Sequence, residues 1–200
     1  MFESDEIRKM LKAADGQLRA MILLGVNCGL GNTDCACLPL SALDLDAGWL
    51  SFPRPKTGID RRIPLWVETI DALGEALKTR PKPKDEEDKG LVFITKYGQR
   101  WVRTKPSGKT EGKLVASDSI AQEIRKLLKQ LSLNGGRNFY ALRHTFETIG
   151  GEAKDQIAVD AIMGHVRDDM ASVYRERISD ERMIAVTNHV REWLLGDHSC

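Results

Sequence analysis

The sequence lacks the features that mark membrane proteins and secreted proteins. It contains no run of 18 apolar residues, and its longest apolar stretch, residues 21–26, is far too short to span a bilayer. The N-terminus is acidic and then amphipathic, whereas a secretion signal begins with basic residues and continues with an apolar block. The sequence therefore predicts neither a membrane span nor a secretion signal.

Cysteine is also scarce. The four cysteines are Cys28, Cys35, Cys37 and Cys200. Cys35 and Cys37 are separated by a single residue, and no second Cys or His pair follows at the spacing of a zinc site. The pattern predicts no structural zinc and no disulfide framework, and it favours a reduced, cytoplasmic compartment.

The chain has almost no net charge, because 30 Lys and Arg residues oppose 29 Asp and Glu residues and leave +1. A dedicated DNA-binding domain is often much more basic, so the distribution of charge is more informative than the sum. Basic residues cluster in residues 54–62 and 100–113, and acidic residues concentrate in residues 85–88. This segregation allows one basic face, although solvated loops without a partner explain either cluster taken alone.

Helical periodicity dominates what is present. Apolar residues recur at helical spacing, with capping residues before the segments or glycine after them. The predicted helices cover residues 4–14, 18–28, a short segment after Asn32 or Thr33, 68–79, 117–131, 140–149, 155–163, 170–175 and 180–195.

Three shorter segments, residues 49–52, 61–65 and 91–95, have the composition of strands, and a turn-rich stretch containing Lys56 joins the first two. Residues 103–113 are polar and basic and contain Gly and Pro, so we predict a mobile loop there. The expected fold is α+β and mainly helical, with a small sheet inserted after the third helix.

Three local motifs in the C-terminal third could carry chemistry: ALRHTF at residues 141–146, IMGH at residues 162–165, and Tyr174, nine residues after His165. Taken alone, each has an ordinary structural explanation. Arg143 could be a surface residue of a helix, His165 could lie at a helix C-terminus where its charge is favoured, and Tyr174 could pack its ring in the core.

In this order and spacing, the motifs resemble the tyrosine recombinase (phage integrase) family, whose pattern runs from a HxLRHT helix through an LGH turn to a tyrosine nine residues on. Asp34 falls where the family has the acidic residue of its GLRxxE motif, and Lys56 lies in the strand-turn-strand where the family carries its lysine. The resemblance covers essentially the whole chain. It implies the fold of that family's catalytic domain, a helical bundle with a small three-stranded antiparallel sheet.

The resemblance implies site-specific breakage and rejoining of DNA strands through a 3′-phosphotyrosine intermediate, with no metal, ATP or other cofactor. Tyr174 would be the nucleophile, and a phenol with a pKa of about 10 needs activation for this. Arg143 and His165 would clamp the phosphate, and Lys56 would be the general acid. Asp34 would organise the site without touching the reacting atoms.

The partner implied is double-stranded DNA, with a homo-oligomer (a synaptic tetramer) on DNA, a monomer in isolation and no membrane. The implied location is the cytoplasm, for a bacterial or phage-encoded protein associated with the nucleoid. Residues 1–200 would be one catalytic domain from which the family's N-terminal core-binding domain is absent, as in a truncated protein. The residues expected to bind DNA are Arg54, Arg61, Arg62, His144, Arg103 and Lys105.

Two positions depart from the family pattern. Gly31 stands where the family has its first catalytic arginine, and the loss of one such stabilising group typically costs roughly 10²- to 10³-fold in rate. Tyr140 stands where the histidine of HxxR would be, and its hydroxyl can exchange hydrogen bonds but cannot replace an imidazole in proton transfer near neutral pH. An arginine from residues 54–62 could take the place of the missing one.

Two alternatives remain open on the sequence alone. A catalytically impaired DNA-binding module derived from this family would explain Gly31 and Tyr140. It leaves unexplained the retention of Lys56, Arg143, His165 and Tyr174. A helical protein-interaction domain would need four independently spaced coincidences. Salt-dependent DNA binding separates this last alternative from the other two.

Overall fold

A computed structural model describes residues 1–106, 114–133, 135–165 and 178–196. Helices account for most of the described residues. They are α1 (Ser4–Ala13), α2 (Gly16–Cys28), α3 (Asn32–Ala36), α4 (Val67–Lys78), α5 (Ser119–Gln130), α6 (Tyr140–Glu152), α7 (Gln156–Met163) and α8 (Asp180–Leu195), with short 3₁₀ turns at Leu40–Ala42 and Glu86–Asp88.

Two small antiparallel sheets accompany the helices. Strands β1 (Leu43–Asp44), β2 (Trp49–Ser51) and β3 (Arg62–Pro64) follow one another in one sheet, and Leu50 lies opposite Ile63. Strands β4 (Val102–Pro106) and β5 (Leu114–Asp118) form the other. The predicted fold class, a mainly helical domain with a small three-stranded antiparallel sheet, is therefore confirmed.

Two predictions about strands were wrong. Residues 91–95 are not a strand, and their apolar character reflects burial instead, since Val92, Phe93 and Ile94 are fully buried. Residues 103–106 belong to β4 and not to a loop. The third strand of the main sheet is the two-residue β1, which is too short to leave a period-2 pattern in the sequence.

Helix ends follow local capping. The Asp118 carboxylate accepts a hydrogen bond from the backbone N–H of Ala121, and the Asp155 carboxylate accepts one from that of Ala158. Gly164 ends α7 in the left-handed conformation with φ +64°. The predicted helix at residues 170–175, and Tyr174 with it, lie outside the described residues.

Helix α2 is at the centre of the core. Its residues from Ala20 to Cys28 are all buried, and α4 and α6 pack against it. Gly25 permits the close approach of α6, since a Cβ at this position would lie 3.0 Å from the Leu142 Cβ. This contact fixes the position of α6 at Leu142, the residue next to Arg143. Within the described residues, no helix is both long and apolar enough to cross a membrane.

Candidate active site

Arg143 is buried on α6 with 1% of its surface exposed. Its guanidinium donates hydrogen bonds to the backbone carbonyls of Gly29 and Met163, and its Nη2 lies 2.9 Å from the His165 Nε2. In the described part of the chain it forms no ion pair with a carboxylate. Burial lowers the pKa of Arg143, and the nearby charge of Arg54 lowers it further. A buried cation without a counter-charge favours an anionic ligand.

His165 follows the end of α7 and is held from two sides. Its backbone N–H donates to the Asp160 carbonyl at 2.9 Å, and its Nδ1 lies 3.5 Å from the Asp160 carboxylate. Because the guanidinium of Arg143 can only donate, Nε2 of His165 accepts and the ring hydrogen lies on Nδ1, towards Asp160. The Nε2 lone pair of His165 is therefore occupied by the hydrogen bond from the buried arginine.

Asp34 connects α3 to the sheet. One carboxylate oxygen accepts a hydrogen bond of 2.7 Å from the Gly31 N–H, and the other accepts one of 3.2 Å from the Arg61 Nη2. The Arg61 side chain is fully buried, and its Nε donates to the Phe52 carbonyl at 2.9 Å. Burial lowers the pKa of Arg61. Asp34 and Arg61 therefore bind each other and the backbone, and the buried Nη1 of Arg61 has no hydrogen-bond partner among the described residues.

The turn between β2 and β3 is anchored to the end of α7. Arg54 Nη1 and Thr57 Oγ1 both donate to the Gly164 carbonyl, at 3.2 and 3.3 Å. Within the turn, the Gly58 N–H donates to the Arg54 carbonyl at 2.8 Å. Lys56 is exposed at the tip of this turn and forms no ion pair with any described residue. The anchoring places the Lys56 turn beside His165.

A cavity of about 500 Å³ opens where this turn faces α3 and the start of α6, and Gly31, Asp34, Arg54, Lys56 and Tyr140 contribute to its wall. Tyr140 is 41% exposed, and its ring packs edge-on against that of His144. A Cβ at Gly31 would lie 3.5 Å from the Tyr140 ring, so the two positions that depart from the family pattern are neighbours.

A phage integrase family model matches residues 1–181. The chain belongs to the phage integrase family. The tyrosine recombinase XerC of Lacticaseibacillus casei (strain BL23) is 24% identical over 183 residues, which are 86% of this chain and 56% of XerC. The chain thus spans little more than half the length of the curated relatives that it matches.

Solved structures of a recombinase and of integrases share the fold. The XerA recombinase gives a TM-score of 0.66 at 19% identity, over 95% of this chain and 64% of that one. The lambda integrase catalytic core gives a TM-score of 0.59 at 17% identity, over 84% of this chain and 93% of the core. A lambda integrase dimer bound to a COC′ core site gives a TM-score of 0.59 at 16% identity, over 90% of this chain and 61% of that one.

In this integrase fold, the side chains expected to bind DNA do not all lie at the cavity. Arg54 lines it and Arg61 lies buried behind it, as described above. Arg62 stacks 3.6 Å over the Trp49 ring and pairs with Asp180 at 2.5 Å. Arg103 borders a different cavity, which it shares with acidic residues of the segment 85–88.

The other expected residues are placed only in part. His144 is exposed on α6, 3.9 Å from the Glu147 carboxylate. The side chain of Lys105 lies outside the described residues, as does the whole of Tyr174. In the part of the chain that the structure describes, no group of three or more His, Cys, Asp or Glu side chains could hold a metal ion.

Two residues of the site were not predicted from the sequence. Asp160 orients His165 from within α7, and Thr57 anchors the turn to Gly164. The acidic residue five positions before His165 is a local signal for the first. Nothing in the sequence indicates the second, because its partner is 107 residues away along the chain.

Proposed function

We propose that this chain acts as the catalytic domain of a site-specific tyrosine recombinase, which breaks and rejoins double-stranded DNA through a 3′-phosphotyrosine. Membership of the family supports site-specific DNA recombination in general. The observation that carries the finer proposal is the buried guanidinium of Arg143, which has no carboxylate partner among the described residues and lies next to His165. A phosphodiester is an anion that would complete such a site.

The charges near the cavity favour phosphate over a neutral ligand. Asp34 is already neutralised by Arg61, and the Arg54 and Lys56 side chains, which line the cavity, have no carboxylate partner in the described chain. Negative charge on the non-bridging oxygens grows as phosphoryl transfer proceeds. Fixed cations and donors aimed at those oxygens stabilise the transition state more than the ground state.

Cleavage moves the phosphorus from the 5′ oxygen of one nucleotide to the Tyr174 hydroxyl oxygen. In our proposal Arg143 turns its guanidinium from His165 to the phosphate, so that the freed lone pair of His165 Nε2 takes up the phenol proton, and Lys56 donates a proton to the departing 5′ oxygen. The 3′-phosphate stays esterified to Tyr174, and the reverse transfer rejoins the strand. Since the bond energy is retained in the ester, neither ATP nor a metal is required.

We further infer that residues 1–200 correspond to one catalytic domain, which acts together with a core-binding domain. We infer that it is a monomer in isolation and assembles as an oligomer on DNA. The overlap with 93% of the lambda catalytic core, and the lambda dimer bound to a core site, support this inference. A protein with this activity would work in the cytoplasm of a bacterium, at the nucleoid.

A nicked suicide substrate tests the proposal. The nick lets a short 5′ fragment diffuse away after cleavage, so the covalent intermediate accumulates. We expect a protein–DNA adduct that survives denaturation and carries the DNA by its 3′ end. An adduct through the 5′ end would contradict the mechanism.

Gly31 supports a second candidate, a DNA-binding module with impaired catalysis. In that case the chain would bind duplex DNA in a salt-dependent manner. It would form no adduct on the suicide substrate, even with a family core-binding domain supplied.

A further inference from the structure

The cavity wall lacks a side chain at Gly31, and three arginines of the neighbouring turn and strand could supply a cation there. Arg61 is excluded, because its side chain is fully buried, does not line the cavity, and is held by Asp34 and the Phe52 carbonyl. Arg62 is excluded, because it lies over the Trp49 ring and pairs with Asp180. Only Arg54 combines a position in the cavity wall with donors that have no partner in the described chain.

We propose that Arg54 is a phosphate-binding catalytic residue, the second guanidinium that holds the scissile phosphate together with Arg143. This inference rests on the proposed function and names a residue for it. One nitrogen of Arg54, Nη1, is bound to the Gly164 carbonyl, which leaves Nη2 and Nε for a ligand. Two adjacent donors of a planar guanidinium match two oxygens of one phosphate.

Arg54 is held in place before any ligand arrives. Its backbone N–H donates to the Ile59 carbonyl at 2.8 Å, and its own carbonyl accepts from the Thr57 and Gly58 N–H groups. A Cβ on Gly164 would lie 3.0 Å from the Arg54 Cβ, so the side chain runs directly along the end of α7. Such an ordered arginine loses little further entropy when it binds an anion.

The backbone at Gly31 would accept a side chain, which makes a rescue experiment possible. Its φ of −95° is open to any residue. A Cβ there would be 3.4 Å from the nearer Asp34 carboxylate oxygen and 3.5 Å from the Tyr140 ring, which are ordinary contacts. An arginine at position 31 would enter the cavity that Arg54 lines.

The first test measures the rate of adduct formation on the suicide substrate. We expect Arg54→Gln to lower this rate by about 10²- to 10³-fold, the usual effect of removing one charge-stabilising donor. Gly31→Arg added to Arg54→Gln should recover at least about tenfold of the loss, because it restores a guanidinium to the same cavity.

Thr57→Val is the matched control, since Thr57 and Arg54 donate to the same Gly164 carbonyl. It should lower the rate by less than about tenfold. Equal losses in Arg54→Gln and Thr57→Val would overturn the proposal, because Arg54 would then only anchor the turn.

The second test is independent of cleavage. The slope of log affinity for duplex DNA against log salt should become less steep by about 0.9 in Arg54→Gln, the effect of one lost phosphate contact. Lys89→Gln removes a charge from an exposed pair with Glu86 and should leave the slope unchanged.

The two tests separate the possible failures. If the wild-type chain forms no adduct but Arg54→Gln flattens the slope, the proposed function fails and the phosphate contact of Arg54 stands. If the wild type forms an adduct, and Arg54→Gln matches it in both rate and slope, the Arg54 proposal is wrong and the proposed function stands.

Discussion

At the scale of single residues, buried cations dominate the site. Arg143 and Arg61 are 1% and 3% exposed, yet only Arg61 has a carboxylate partner in the described chain. The difference separates their roles. Arg61 is paired with Asp34, which also binds the Gly31 N–H, whereas Arg143 bonds to carbonyls and to His165 and could take a phosphate oxygen as a further partner.

Breaking the Asp34–Arg61 pair should be costly for stability. Asp34→Asn leaves the Arg61 charge buried without compensation, and we expect a loss of about 3 kcal/mol or more in the free energy of unfolding, measured in urea. Adding Arg61→Met removes the unpaired charge. The loss of unfolding free energy in the double variant should therefore be smaller than the sum of the losses in the two single variants. Additive losses would show that the two side chains do not interact.

At the scale of elements, the junction between the β2–β3 turn and α7 brings the site together. Gly164 has φ +64°, and a Cβ on it would lie 3.0 Å from both the Arg54 Cβ and the Arg61 Cδ. A glycine is therefore required at this position for two reasons, the left-handed backbone conformation and the close approach of the two arginine side chains.

A comparison of two glycines separates these requirements. Gly58 also has positive φ, +71°, but a Cβ there would meet nothing within 4 Å. Gly58→Ala should cost about 1 to 2 kcal/mol of unfolding free energy from backbone strain alone. Gly164→Ala should cost more and should also slow adduct formation, because it displaces Arg54. Equal effects on both measurements would mean that the contact with the turn is unimportant.

A second junction gives the chain a predictable response to acid. Glu6 on α1 accepts hydrogen bonds from Arg137, which precedes α6, and these bonds lower the pKa of Glu6 below its ordinary value of 4.5. A carboxylate with a lower pKa in the folded state stabilises the fold above the unfolded pKa, and this contribution is lost as pH falls through the folded pKa.

The free energy of unfolding should therefore decrease as pH falls below about 4.5. In Glu6→Gln part of this decrease should be missing, and the variant should be less stable than the wild type near pH 7. Urea unfolding at a series of pH values measures both. If the curves of unfolding free energy against pH were parallel for the two proteins, Glu6 would not be the source of this acid response.

Local rules in the sequence accounted for the helices but not for all the strands. Asp118, Asp155 and Gly164 act within one turn of the chain, and the helix ends they predict are close to those observed. The hairpin β4–β5 was missed because the sequences of its strands show no alternation of apolar and polar residues. β1 was missed because it has only two residues.

The candidate site shows a similar division. The family pattern predicted that Arg143, His165 and Lys56 would share a function, and the structure brings the helix and the turn that carry them together. The distinct roles of the three arginines could not be predicted. Arg62 is paired with Asp180, 118 residues away, and Arg61 with Asp34, 27 residues away, and these contacts depend on tertiary packing.

At the scale of the whole molecule, a nearly neutral chain separates its charges. Arg54 and Lys56, which pair with no carboxylate among the described residues, lie at one cavity, whereas Arg100, in the second basic cluster, is paired with Asp88 and Glu87. The basic segment 54–62 thus contributes to the site near Arg143. The segment 100–113 is described only as far as residue 106, and its prediction as a DNA-binding face stays a prediction.

The central claim, that Tyr174 attacks the DNA, is tested most directly by replacing each tyrosine in turn with phenylalanine. The chain has three tyrosines, Tyr97, Tyr140 and Tyr174, and each replacement keeps the ring and removes one hydroxyl. On the suicide substrate, Tyr97→Phe should form the adduct as the wild type does, and Tyr140→Phe should still form it, though more slowly. Tyr174→Phe should fold and bind DNA normally and form none. An adduct from Tyr174→Phe at the wild-type level would contradict the account.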